Sequence, residues 1–299
     1  MKECDTVEPD ALVERFEEHR PHLLAVAYRM LGSLSEADDA VQDTWLRASR
    51  ADTSGVENLA AWLTTVVARV CLNVLRSRDH RREDPFDVHA VDPAIDPVSG
   101  GDPEEEALLA DSVGVALLVV LDTLSPAERL AFVLHDLFAV PFEQVAPMLQ
   151  RSAAATRQLA SRARRRVKGA APTPDADLTR RRDVADAFLA ATRGGDFEAL
   201  VTLLHPDVVL RADKAVIPTP EPILVRGANP VAKGAMAAME RARFTGLALI
   251  DGTVGLVMAP HGRLRVVLTF AITDVGITEI DVIGEPDRLR QLDIAVLDG

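Results

Sequence analysis

Residues 151–168 read RSAAATRQLASRARRRVK, seven arginines or lysines and no acid. Wound as a helix, Leu159, Ala160, Ala163 and Val167 share one sector roughly 100° wide. Arg157, Gln158, Ser161, Arg162 and Arg165 collect on the opposite side. Arginine can hold guanine through two hydrogen bonds, glutamine can do the same to adenine, and further guanidinium groups suit phosphates. A short helix over Phe142–Leu149 and a tight Gln150-Arg151-Ser152 connection come first, with Ser152 as a credible N-cap, which is the spacing of a helix-turn-helix. Two features depart from that pattern. The turn holds Gln150-Arg151 where glycine is common, and Pro147 should bend or shorten the first helix. A solvated basic helix face is the plainer alternative.

Groups suited to bond-making chemistry are sparser. Cys4 and Cys71 are the only cysteines and show no metal-ligand spacing. Near the C-terminus, His205 precedes Pro206, His261 lies in a PHGR turn, and Asp207 and Asp213 begin and end a strand-like run. Acid–base chemistry at carbon wants a carboxylate in an apolar cavity with a Tyr, His or protonated acid facing it. The single tyrosine, Tyr28, belongs to the opposite end of the chain. The expectation is no enzyme, no cofactor and no metal.

The elements that must position these residues fall into three territories. Up to about residue 82 the pattern is helical. Ser35 with Asp38 reads as a capping-box start. Behind it Ala37, Ala40, Val41, Thr44, Trp45 and Ala48 recur at helical steps, leaving Asp38, Asp39, Gln42, Asp43 and Arg47 on the other side. A second helix from about Leu59 begins apolar and ends basic (RSRDHRR), where cations also suit the helix dipole. Residues 83–128 contain no Lys or Arg, and the part before residue 105 has the Asp, Pro and Gly of a linker that repels itself. Helices resume over 105–168, with Ser125-Pro126-Ala127-Glu128 as a firm start. After a linker at 169–177, residues 178–299 give two helices broken at Gly194-Gly195. The strand-like runs TGLALI, TVGLVM, RLRVVLTFAIT and ITEIDVIG follow, the first pair joined by Asp251-Gly252. Helices followed by a sheet indicate an α+β domain.

The chain has 299 residues, is 48% hydrophobic and carries a net charge of −13. It reads as a multidomain globular protein of the reduced cytoplasm, with no signal peptide at its polar start and with ALLVVL (116–121) too short to span a bilayer. So acidic a protein is repelled from nucleic acid as a whole. Screening over about 8 Å nevertheless lets the local arginines dominate near a phosphate.

Three stretches in order, RMLGSLSEADDAVQDTWLRA, AWLTTVVARVCLNVLRSRDHRRE and LDTLSPAERLAFVLHDLFAVPFEQVAPMLQRSAAATRQLASRARRRV, resemble regions 2.1–2.2, 2.3–2.4 and 4 of the extracytoplasmic-function (ECF) sigma factors of bacterial RNA polymerase. The segment from RRRDVADAFLAATRGGDFEALVTLLHPDVVL onward resembles the SnoaL-like (NTF2-like) domain that one subgroup carries after region 4. Where members of that subgroup have WLPEP-like, DGGGK-like and NPDK-like motifs, this chain has DPFDV, RADKA and GEPDRLRQLDIAVLDG, which suits a sister subgroup.

The resemblance implies two all-α modules, region 2 over 9–82 and a region 4 helix-turn-helix over 105–168. They are joined by the acidic 83–104 connector of the RNA-exit channel and followed by an α+β SnoaL-like domain with a curved antiparallel sheet over 178–299. It also implies a role for each face. Asp38, Asp39, Gln42 and Asp43 dock on the clamp helices of the largest polymerase subunit, and the flap of the second largest subunit is a further partner. The loop from Arg50 to Asn58 holds a flipped −10 base. Arg69, Asn73, Arg76 and Arg78 follow that strand, and Arg157, Gln158, Ser161, Arg162 and Arg165 meet the −35 element. The last domain is expected to regulate, through a ligand or an intramolecular contact with the sigma core. Two other readings stay open: a ligand-responsive helix-turn-helix regulator acting without polymerase, and a SnoaL-type isomerase or cyclase.

Overall fold

The computed structural model describes residues 9–83, 103–169, 176–216 and 221–297. Most of the 83–104 and 169–177 linkers, DPFDV among them, lies outside the described residues. The chain divides into two compact units: one of residues 1–106 and 124–164, the other of 107–123 and 165–299.

In the first unit, α1 (Pro9–Leu31), α2 (Leu34–Ala48) and α3 (Leu59–Glu83) pack on one another. The apolar period of α2 is the one its spacing predicts, with Ala37, Ala40, Val41, Thr44 and Ala48 buried. The Thr44 hydroxyl is satisfied by donating to the Ala40 carbonyl at 2.8 Å. The capping box expected at Ser35 does not form. The helix starts two residues earlier, with Ser33 at its N-cap position, no side chain caps it, and Ser33 and Ser35 pair through their hydroxyls at 3.0 Å. Asp38 instead faces Arg20 of α1. Asn58 caps α3, its Oδ1 accepting the Ala61 N–H at 3.0 Å. Among the described residues one stretch, Leu59–Asp79, is long and apolar enough to cross a membrane, and half of it is buried within the protein.

Next come α4 (Pro103–Val113), α5 (Val115–Asp122), α6 (Pro126–Phe132), a π-helical turn (Val133–Leu137), α7 (Phe142–Leu149) and α8 (Ala153–Lys168). The capping box at the head of α6 forms as read. Ser125 Oγ accepts the Glu128 N–H at 3.4 Å and donates to Glu128 Oε2 at 2.9 Å. The α7 helix runs two residues past Pro147 and ends with Gln150 in the left-handed region, φ 54° and ψ 43°. Glycine enters that region more cheaply, by about 1 kcal/mol. Ser152 caps α8 by accepting the Ala155 N–H at 3.2 Å. α6 and α7 rest on α3, and the π-helical turn rests on α1.

Within the 105–168 stretch, residues 107–123, which hold most of α4 and all of α5, and the last turn of α8 belong to the second unit. There α5, buried along nearly its whole circumference, packs on β3 (Thr245–Ile250) and β7 (Ile294–Ala295). Gly246 is what lets it approach, since a Cβ there would stand 3.0 Å from that of Val115. Val296 N–H donates to the Val167 carbonyl at 2.9 Å, and Arg166 donates to the Thr123 carbonyl at 3.2 Å.

The rest of the second unit comprises α9 (Ala176–Gly194), α10 (Phe197–Leu203), β1 (Leu204–Ala212), β2 (Ile223–Arg226), α11 (Ala228–Ala237), α12 (Met239–Ala242), β4 (Thr253–Met258), β5 (Val266–Thr273), β6 (Gly276–Ile283) and α13 (Pro286–Leu289). The sheet order is β2-β1-β6-β5-β4-β3-β7. All pairs are antiparallel except β1 with β6, so the sheet is mixed rather than wholly antiparallel. Strands far apart in sequence are free to pair in parallel, which no tight turn permits. Asp251 and Gly252 both take positive φ in the β3–β4 hairpin, as Asp-Gly predicts. Bulges in β1 and β6 bend the sheet. α9 packs on it, with Phe188 edge-on to Phe270 at 5.4 Å.

Candidate nucleic-acid and protein interfaces

On α2 the predicted acidic face exists, because the apolar period commits the opposite side to the core. Asp39 and Gln42 are exposed. Asp38 and Asp43 stand beside them but lean on neighbours, Asp38 on Arg20 at 3.5 Å and Asp43 on Arg47 at 2.8 Å. Both pairs are about half exposed, so water screens them and they hold the carboxylates only loosely.

The loop before α3 is shaped by its own hydrogen bonds. Asp52 Oδ1 accepts from the Ser54 hydroxyl at 2.6 Å and from its N–H at 3.0 Å. The hydroxyl first, then the N–H, holds that carboxyl below the usual range. On α3 itself Arg69, Asn73 and Arg76, at steps of four and three, are exposed on one stripe, and Asn58 is exposed at the helix start. Arg78 is placed differently. Its guanidinium pairs with Glu36 and donates to the Leu31 carbonyl at 3.3 Å, and its side chain is only 13% exposed. It ties α3 to the junction of α1 and α2.

On α8 the apolar sector is buried at Leu159, Ala160 and Ala163, which leaves Arg157, Gln158, Arg162 and Arg165 exposed and Ser161 half-buried. Those arginines are not equivalent. Arg162 Nε donates to Glu128 Oε1 at 2.8 Å, while the guanidinium carbon of Arg157 stands 5.3 Å from the centre of the Phe142 ring.

Sequence reasoning missed a set of residues within the first unit. Arg129 is buried and donates to the Met30 carbonyl at 2.9 Å. Phe138 lies edge-on to His22 at 5.3 Å, and the Arg29 guanidinium stands 5.3 Å from the same ring. The signal for them was weak: an arginine inside an apolar run (AERLAFVL), and an aromatic just after a helix.

Several of the candidate acid–base groups of the last domain have local structural partners. Asp213 is buried, and its carboxylate accepts N–H groups from Ala215, Gly284 and Glu285 at 2.8–3.2 Å, fastening the end of β1 to the segment after β6. His205 Nδ1 accepts the Asp207 N–H at 3.1 Å, and His261 sits at positive φ in a short turn. Burial pushes the Cys71 thiol up to about 12, which keeps it an unreactive core residue. Among the described residues no cluster of His, Cys, Asp and Glu could hold a metal ion.

Residues 15–81 match the family Sigma-70 region 2, and residues 114–167 match Sigma-70, region 4. The chain is 40% identical over 81% of its length to the ECF RNA polymerase sigma factor SigJ of Mycobacterium tuberculosis, covering 80% of that protein. It is 32% identical over 95% of its length to the probable ECF RNA polymerase sigma factor SigI of the same organism, covering 96% of it. The crystal structure of M. tuberculosis SigJ aligns with 93% of this chain and 98% of that one, at 35% identity and a TM-score of 0.44.

Proposed function

The chain belongs to the ECF sigma factors of RNA polymerase, and from that premise we propose how its faces divide the work of initiation. As a sigma factor it binds core RNA polymerase and promoter DNA and directs promoter-specific initiation in the bacterial cytoplasm. Sigma factors are not enzymes. Asp39 and Gln42, flanked by Asp38 and Asp43, dock on the clamp helices of the largest subunit. The flap of the second largest subunit takes region 4, and the acidic 83–104 connector lies in the RNA-exit channel. Arg69, Asn73 and Arg76 follow the separated −10 strand, with Asn58 and its loop holding a flipped base. The exposed face of α8 enters the major groove at −35.

One observation carries this reading: a single chain presents two distinct cationic helix faces, one on α3 and one on α8, beside an acidic face on α2. A regulator that binds only duplex DNA needs just one of the three. Run-off transcription with purified core enzyme tests it. Transcripts that start only when the chain is added support it, and no transcript from any promoter in a genomic library would remove it.

The −10 and −35 elements lie about 25 base pairs apart, about 85 Å along B-DNA. A compact unit of about 150 residues is about 40 Å across. Region 4, resting on region 2 through Arg129 and Phe138, must therefore leave it to engage both elements. The last domain regulates that step by holding α5. Support comes from α5 itself, which lies within the region 4 match yet packs on β3 and β7. Gly246→Val drives a methyl group into Val115 and loosens that grip. A transcript yield changed at least twofold at fixed sigma concentration is expected, and an unchanged yield would count against regulation by this contact.

A further inference from the structure

The recognition helix carries two kinds of arginine. Arg162 and Arg164 turn back on the helix-turn-helix: Arg162 Nε meets Glu128 Oε1 at 2.8 Å, and Arg164 Nε meets Asp136 Oδ1 at 2.5 Å. The Glu128 side chain is only 11% exposed, and its other oxygen is taken by the Ser125 hydroxyl at 2.9 Å. Arg162 therefore joins α8 to the capping box that starts α6. Were its guanidinium to leave for a base edge, a largely buried carboxylate would give up a charge-assisted hydrogen bond.

Arg157 is built differently. It is exposed, and its guanidinium stands over the Phe142 ring rather than beside a carboxylate. Phe142 is in turn stacked on His135, with ring centres 3.6 Å apart and planes 25° from parallel. His135 is fixed to the loop before α7 through Nδ1 and the Val140 carbonyl, 3.0 Å apart. Stacking on an aromatic ring restrains the guanidinium plane and leaves its N–H groups for other acceptors. A planar fork held this way suits the O6 and N7 of a guanine.

We propose that Arg157 is the residue of α8 that discriminates bases at −35, that Phe142 is its positioning residue, and that Arg162 and Arg164 brace the helix-turn-helix without reading sequence. This rests on α8 entering the −35 groove. The test uses full-length chain in holoenzyme to select promoters from a library randomised across −35, with thermal unfolding of each variant measured alongside. Wild type is expected to enrich guanine at one position at least. Arg157→Ala flattens preference there by about tenfold or more with its melting temperature retained. Phe142→Leu flattens the same position, and Phe142→Tyr restores it. Arg162→Gln lowers the melting temperature and leaves the preference as in wild type. Loss of preference in Arg162→Gln with preference kept in Arg157→Ala overturns the assignment. If wild type selects nothing at −35, the parent reading of α8 is what fails.

Discussion

The buried guanidinium of Arg129, in α6, donates to the main-chain carbonyl of Met30, near the C-terminus of α1, at 2.9 Å. The last turn of a helix leaves its carbonyls without intrahelical partners, and here a side chain of region 4 satisfies one of region 2. The bond is charge-assisted and shielded from water, so it weighs more than the exposed ion pairs elsewhere on the surface.

Replacing Arg129 with Met should remove about 1.5–3 kcal/mol from this contact. That shifts the ratio of open to closed unit by roughly 10- to 100-fold. Fluorophores at the exposed positions Ser49 and Ala154 report the separation. A gain in the long-distance population is expected, and Phe138→Ala should act in the same direction.

The same contact should respond to pH through His22. Burial first, and the neighbouring His19 second, lower its pKa from the usual 6.5. Its Nε2 meets the Thr64 hydroxyl of α3 at 3.2 Å, and its ring meets Phe138, with Arg29 near the same ring. The closed form therefore binds fewer protons than the open form. The stability it contributes is present above pH 6.5 and is lost as pH falls from there toward the lowered value. The same fluorophore pair should show opening on acidification, and His22→Gln should reduce the pH dependence.

Asp39→Lys should weaken core polymerase binding about tenfold, roughly 1.4 kcal/mol, by reversing a charge on the face proposed to dock. Asp39 is exposed and makes no packing contribution to the core, so thermal unfolding should stay as in wild type. Titration of labelled chain with core enzyme checks both halves of the statement.

On α3, Arg69→Ala or Arg76→Ala should lower affinity for single-stranded −10 DNA in holoenzyme and reduce the salt slope of binding by about one. Arg78→Ala should act on the fold instead. Losing the pair with Glu36 and the bond to the Leu31 carbonyl costs about 1–3 kcal/mol of stability, read by denaturant unfolding.

Periodicity alone placed the cores of α2 and α8, because an amphipathic helix has one way to bury Ala37, Ala40 and Val41 or Leu159, Ala160 and Ala163. Local chemistry likewise announced Ser125, Ser152 and the Asp251-Gly252 hairpin, each made within four residues. The Ser35 capping box misled because Ser33 and Ser35 satisfy each other and Asp38 finds Arg20 on another helix. That competition lies eighteen residues away and has no local mark.

What the amino-acid order determined by itself is the kind of surface each helix offers: acid on α2, and base on α3 and α8, since side-chain direction follows from a fixed turn per residue. Only the tertiary structure decided which arginines are tied to another helix. Arg78, Arg129 and Arg162 look like any other arginine in sequence, yet each finds a carboxylate or an orphan carbonyl brought to it from a distant helix. The reason is that an ion pair or buried hydrogen bond depends on a partner's position in space, and a chain written in one dimension does not contain it.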